Sequence, residues 1–106
     1  MGKILAIDFD GVIHDYKNFI EGKKMGGPID GARESLRELK SRGNKLIIFT
    51  AKAENIARRI MIETWLIFFD IPFDEVTNIK LNADFFIDDK AICFENNWPE
   101  ILQKLK

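Results

Sequence analysis

The sequence predicts a single α/β domain, residues 1–106, built on an open, mainly parallel sheet with helices on both faces. Strand-like and helix-like segments alternate along the chain. The strand-like segments are short and continuously apolar, which is the pattern of parallel strands covered on both faces. A length of 106 residues fits one compact domain, and 46% hydrophobic residues can fill one core.

The first half of the chain contains two predicted strands and one helix. The first strand runs from Lys3 to Asp8, and the second from Lys45 to Thr50. Asp30 can cap the helix between them, and Gly43 is placed to end that helix in a left-handed turn. The residues from His14 to Pro28 are expected to form a short loop.

The second half supplies a long helix, two short strands and a terminal helix. The long helix is predicted from Ala53 to about Phe69, because Pro72 forbids its continuation. Strands follow at Glu75 to Thr77 and at Asp84 to Asp88, and the last helix begins near Trp98. One buried stripe of the long helix is expected to contain Ile56, Ala57, Ile60, Met61, Thr64, Trp65 and Phe68.

Composition excludes several classes of protein. Sixteen basic and 17 acidic residues give a net charge of −1, so no global field favours nucleic acid or an anionic membrane. No signal peptide is evident, and the longest apolar run falls far short of a membrane span. The single cysteine, Cys93, excludes an internal disulfide and agrees with a reducing compartment. We therefore expect a soluble, cytoplasmic protein.

Polar residues stand where the predicted strands end. Asp8, Thr50 and Asp88 each close an apolar strand, and Lys80 lies in the loop before the strand that ends at Asp88. Asp84 should lie at the opposite end of that strand, outside the site. Because ligands of open α/β sheets bind at the carboxyl ends of the strands, these groups are expected at one edge.

The carboxylates of this edge are typical of a magnesium site. Asp8 and Asp10 can lean to one side of the chain while Phe9 points into the core. Mg²⁺ prefers hard oxygen ligands and takes one or two protein carboxylates, and Asp88 or Asp89 would add another. Zinc is disfavoured because the single His and single Cys are far apart in the sequence.

Four segments carry a resemblance to a known family. They are Asp8-Phe9-Asp10-Gly11-Val12, Phe49-Thr50-Ala51, Lys80 and Phe86-Ile87-Asp88-Asp89. In this order they resemble the motifs of the haloacid dehalogenase (HAD) superfamily of aspartate-nucleophile phosphohydrolases. The resemblance spans nearly the whole chain and implies a Rossmann-like fold.

The resemblance also implies a two-step reaction on a phosphomonoester. Asp8 would attack phosphorus to form an aspartyl phosphate, and Asp10 would protonate the leaving group and then activate water. Thr50 and Lys80 would bind phosphoryl oxygens. The reaction is that of a phosphatase.

Mg²⁺ is the implied cofactor. The resemblance implies that the Asp8 side chain, the Asp10 backbone carbonyl and Asp88 hold it, with Asp89 acting through a water.

The chain departs from many relatives of this family because no cap domain fits between its motifs. An uncapped site is open, which suits bulky phosphorylated substrates such as phosphoproteins or nucleic-acid ends, although open forms also hydrolyse small phosphates. A neighbouring subunit in a homo-oligomer is another source of a lid. Lys52, together with Lys17, Lys23 and Lys24, is a candidate to line the entrance and hold a second anionic group.

Several site residues also have a purely structural interpretation. Thr50 can cap a helix, Lys80 can be a solvated loop lysine, and Asp88-Asp89 can belong to a turn. His14 lies near Asp10 in the sequence, yet it is expected to be a surface loop residue.

Two other functions remain open. A receiver-like phospho-acceptor domain uses similar groups, although receivers place the adjacent acidic pair on the first strand. A non-catalytic phosphate-binding module is the third class.

Overall fold

The computed structural model describes residues 2–19, 25–79, 83–87 and 98–105. Its strands are β1 (Ile4–Asp8), β2 (His14–Phe19), β3 (Gly26–Pro28), β4 (Lys45–Phe49), β5 (Glu75–Thr77) and β6 (Phe85–Ile87). Its helices are α1 (Ala32–Ser41), a 3₁₀-helix (Ala51–Glu54), α2 (Ile56–Phe68) and α3 (Trp98–Lys104). The predicted strands and helices occur in the predicted order, but β2 and β3 are added between β1 and α1, and the long helix is divided.

Four strands form a parallel sheet in the order β5-β4-β1-β6. Asp8 lies level with Phe49 of β4, and Ile7 lies level with Ile87 of β6. The predicted α/β fold with an open parallel sheet is confirmed. The carboxyl ends of β1, β4 and β6 therefore meet at one edge, with Asp8 at its centre.

The central strands are buried on both faces. Leu5 and Ile7 belong to the same hydrophobic cluster as residues of all three α-helices. Ala6 and Ile47 point to the opposite side of the sheet, and they are also buried. This explains why β1 and β4 read as continuous apolar runs.

Helix α1 begins and ends at glycines. Gly31, with φ of 87°, precedes the helix, and no side chain caps it. The prediction that Asp30 caps α1 is therefore wrong, because the turn that starts the helix uses a left-handed residue. Gly43, with φ of 91°, follows the helix in a left-handed conformation, as predicted.

The long predicted helix is divided in two. The 3₁₀-helix ends before Asn55, whose side chain accepts a hydrogen bond from the Arg58 N–H at 2.9 Å and starts α2. The side chains that α2 buries are Ile62, Trp65 and Leu66.

The prediction of the buried stripe is mostly wrong. Trp65 is buried, but the other members of the stripe are exposed: Ile56, Ala57, Ile60, Met61, Thr64 and Phe68. Apolar residues occur all around α2, so periodicity could not decide which side faces the sheet.

The residues after β1 form a hairpin rather than the expected loop. Strand β2 pairs antiparallel with β3, with His14 opposite Pro28. The sequence of β2 lacks an apolar alternation, and tertiary contacts of His14 and Trp65, given below, fix the hairpin instead. Within the described ranges, no helix has the length and apolar character needed to cross a membrane.

Candidate active site

Asp8 ends the central strand of the sheet. Its Oδ1 accepts a hydrogen bond from the Phe9 N–H at 2.9 Å, and the residue is partly exposed. The strand before it is held by β4 on one side and by β6 on the other. Asp8 is thus a carboxylate on a rigid support, at the edge where ligands of such sheets bind.

A tight turn follows Asp8 and brings the chain back on itself. The Phe9 carbonyl accepts hydrogen bonds from the N–H groups of Ile13 and His14, both at 2.9 Å. Gly11 has φ of 81°, and its N–H donates to the His14 carbonyl at 2.9 Å. A glycine suits this position because other residues are strained in the left-handed region. The turn places His14 beside Asp10.

The Asp10 carboxylate has two partners, one on each oxygen. Nδ1 of His14 lies 2.7 Å from Oδ1, and Nζ of Lys52 lies 2.9 Å from Oδ2. Lys52 belongs to the 3₁₀-helix that follows β4. This ion pair joins the segment after β1 to the segment after β4. The carboxyl ends of these neighbouring strands therefore lie at the same edge of the sheet.

His14 is buried, so its prediction as a surface loop residue is wrong: the side chain is 2% exposed. Nε2 accepts a hydrogen bond from the Gly26 N–H at 2.9 Å. Nε2 therefore carries no hydrogen, and Nδ1 carries the one that is donated to Asp10. The ring is neutral in this arrangement, with its tautomer set by Gly26.

Aromatic residues hold the His14 ring in place. It stacks on Phe9, with ring centroids 5.0 Å apart and an interplanar angle of 11°. Trp65 of α2 meets it edge-on at 5.4 Å, and the Trp65 Nε1–H donates to the Gly26 carbonyl at 2.9 Å. Helix α2 thereby supports both the hairpin and the partner of Asp10.

The surroundings of Asp10 favour its charged form. Burial raises the pKa of the carboxyl, but the hydrogen bonds from His14 and Lys52 and the Lys52 charge outweigh burial. The pKa of Asp10 lies below its ordinary value of 3.8. Asp10 is therefore a carboxylate at neutral pH.

Thr50 is buried at the start of the 3₁₀-helix. Its N–H donates to the Thr77 carbonyl at 2.9 Å, and its Oγ1 accepts from the Lys52 N–H at 3.2 Å. Thr50 thus caps the 3₁₀-helix, which is the structural role that the sequence also allowed. A hydroxyl oxygen that accepts one bond still has its hydrogen to donate, so capping is compatible with binding an anion.

Three predicted site residues, Lys80, Asp88 and Asp89, lie outside the described residues, and their roles stay predictions. Asp84 accepts a hydrogen bond from the Ile4 N–H at 2.6 Å, at the end of β1 opposite Asp8. Its exclusion from the site agrees with this position.

Sequence reasoning missed two contacts of the site. Lys52 was expected to line the entrance and hold a second anionic group, and its ion pair with Asp10 depends on the path of the chain after β4. For the partnership of His14 and Asp10, the sequence offered only their closeness along the chain. The Gly11 that permits the turn between them was also visible in the sequence.

The described residues supply some, but not all, of the ligands that a magnesium site needs. They contain no cluster of three or more His, Cys, Asp or Glu side chains able to hold a metal. Mg²⁺ is bound through as few as one or two carboxylates, and Asp8 offers one. Among the described residues no donor reaches the Asp10 carbonyl oxygen, while the Phe9 carbonyl beside it is fully used. A free carbonyl next to a strand-end carboxylate suits a hard cation.

Comparison with known proteins supports the fold. No family model matches the chain, and no curated protein matches it. A solved structure described as the conserved protein coded by a locus from Bacteroides thetaiotaomicron superposes with a TM-score of 0.76 at 23% identity. The match covers 99% of this chain and 90% of that one. At this identity the similarity shows the fold alone.

Proposed function

We propose that the protein is a Mg²⁺-dependent phosphomonoester hydrolase that acts through an aspartyl phosphate on Asp8. The observation that carries this proposal is the ion pair between Lys52 and Asp10. It joins the segments after β1 and β4, so that Asp8, Asp10, Thr50 and Lys52 belong to one edge of the sheet. A carboxylate nucleophile, a second carboxylate, a hydroxyl and an ammonium are the groups that phosphoryl transfer needs.

The first step forms a bond between an Asp8 oxygen and phosphorus as the bond to the leaving oxygen breaks. Asp10 gives its proton to that leaving oxygen. Asp10 must take up this proton first, because Lys52 and His14 keep it ionised in the free protein. The negative charge of a bound phosphate raises the pKa of a nearby carboxyl and favours this uptake.

The second step returns Asp8 to its starting state. Asp10, now a carboxylate, takes a proton from a water that attacks phosphorus, and the Asp8–phosphorus bond breaks. His14 keeps the Asp10 carboxylate in one orientation through the bond to Oδ1. Preorganised groups of this kind lower the barrier because they need no rearrangement during the reaction.

The phosphoryl oxygens require donors. Lys52 Nζ has three hydrogens, of which one is used on Asp10, and the Thr50 hydroxyl supplies another donor. Lys80 is proposed to bind phosphoryl oxygens as well, following the resemblance.

The metal would be held by the Asp8 carboxylate and the Asp10 carbonyl, with Asp88 and Asp89 proposed to complete the set. When bound, Mg²⁺ neutralises charge on the phosphoryl group. The absence of a cap domain from the sequence favours bulky phosphorylated substrates.

Phosphate release from a panel of phosphoesters, with and without Mg²⁺, tests the proposal. Asp8→Asn and Asp10→Asn should each reduce turnover by at least about 1,000-fold, since each removes a reacting group. Asp84→Asn is the matched control, because it changes the same side chain at the opposite end of β1, and it should retain activity.

The alternatives give different results. A receiver-like domain would be stably labelled by a small phosphodonor such as acetyl phosphate, with little turnover. A non-catalytic module would show neither labelling nor release. Either result would contradict the hydrolase proposal.

A further inference from the structure

The outward face of α2 is apolar and exposed. Five large side chains on it have exposed fractions between 44% and 75%: Ile56, Ile60, Met61, Ile67 and Phe68. Single exposed apolar residues are common on protein surfaces, but here they are contiguous. Ala57 and Thr64, which lie between them, are uncharged.

Helical geometry puts these residues on one side. Successive residues of an α-helix are separated by about 100°, so Ile56, Ile60 and Ile67 fall within one narrow sector. Met61 and Phe68 lie about 100° further round the helix, with Ala57 and Thr64 between the two groups. The opposite side packs on the sheet through Ile62, Trp65 and Leu66. A helix that presents apolar residues on two opposite sides normally buries both of them.

The size of the face approaches that of a protein interface. At roughly 200 Å² for a fully exposed large apolar side chain, the five residues expose about 600 Å². The largest apolar patch on a typical monomer is about 300–600 Å². A standard interface buries about 800 Å² on each partner, which the five residues with Ala57 and Thr64 come close to supplying.

We propose that this face is covered by a second copy of the chain, through antiparallel packing of two α2 helices about a two-fold axis near residue 62. The centre of the patch lies there, midway between Ile56 and Phe68. Ile56 then packs near Phe68 of the partner subunit, and the reciprocal contact forms at the other end. Such self-complementary pairing is the usual arrangement of dimers.

Charge complementarity favours the same arrangement. Arg59 and Glu63 lie along one border of the apolar face, and within the described residues neither forms an ion pair. With the axis near residue 62, Arg59 comes beside Glu63 of the partner subunit, and the pair occurs twice. Parallel packing about a two-fold axis would instead place these residues on opposite sides of the interface, where they could not pair.

Sedimentation velocity over a wide concentration range tests the proposal. The native protein should form a dimer, and Phe68→Glu should raise the dimer dissociation constant at least about 100-fold. Phe68 is 75% exposed, so this variant should fold normally by circular dichroism. Ile79→Glu is the matched control, because Ile79 is 64% exposed outside α2, and it should leave the constant unchanged.

A charge exchange tests the antiparallel geometry. Arg59→Glu and Glu63→Arg should each weaken the dimer about 10-fold, since each creates like-charge pairs across the axis. The double variant should recover the native constant within about threefold. A native protein that stays monomeric at every concentration would overturn the proposal, as would a dimer that Phe68→Glu or the single charge variants leave unchanged.

Discussion

Replacement of His14 measures how strongly the structure holds Asp10. His14→Phe keeps a flat ring to stack on Phe9 but removes both ring nitrogens. The buried Gly26 N–H and the Asp10 Oδ1 then lose their partners. An unsatisfied buried backbone group costs about 1–3 kcal/mol, and a hydrogen bond to a charged group contributes about 1.5–3 kcal/mol. Asp10 is partly exposed and can bind water instead, so we expect a loss of about 2–4 kcal/mol.

Two matched variants separate the two bonds. His14→Asn places an amide where Nδ1 lies and can still donate to Asp10, whereas His14→Gln reaches the Nε2 position and can still accept from Gly26. Each should cost about half as much as His14→Phe. Urea unfolding followed by circular dichroism gives the free energies. A loss below about 0.5 kcal/mol for His14→Phe, or nitrogen-15 spectra showing the hydrogen on Nε2, would refute the reasoning.

Three further variants test separate parts of the structure. Burial raises the pKa of Asp74, but its contacts with Lys40 and the backbone lower it below 3.8. In urea unfolding, Asp74→Asn should therefore be less stable than the native protein by at most about 1 kcal/mol at neutral pH. This difference should disappear as the pH falls below about 4, where the native carboxylate becomes protonated. Gly43→Ala should cost about 1–2 kcal/mol of unfolding free energy through strain alone, because its φ is 91° and no atom lies within 4 Å of the added carbon. Lys52→Met should raise the pKa of Asp10, measured by carbon-13 NMR on metal-free protein, and an unchanged titration would contradict the assigned ion pair.

The sheet was predictable because strands that are buried on both faces have continuously apolar sequences. β1 and β4 are continuous apolar runs, and each leads to a polar residue, Asp8 or Thr50, at the edge where the strands end. The glycine after α1 was equally readable, since a positive φ restricts the choice of residue.

The features that were not predictable depend on tertiary contacts. Every side of α2 carries apolar residues, so its buried side is chosen by the fit of Trp65 against His14 and Gly26. The hairpin of β2 and β3 depends on the same contacts. At the site, the strand-end positions of Asp8 and Thr50 followed from the fold class. The partners of Asp10 did not, because they depend on turns after two different strands.

Chemical trapping of the intermediate tests the central claim most directly. The protein is mixed with Mg²⁺ and a substrate, quenched, and treated with borohydride, which reduces an aspartyl phosphate to homoserine. Peptide mass spectrometry should find homoserine at position 8, and only with substrate present. Phosphate release with an unmodified Asp8, or with the modification at another residue, would contradict the account.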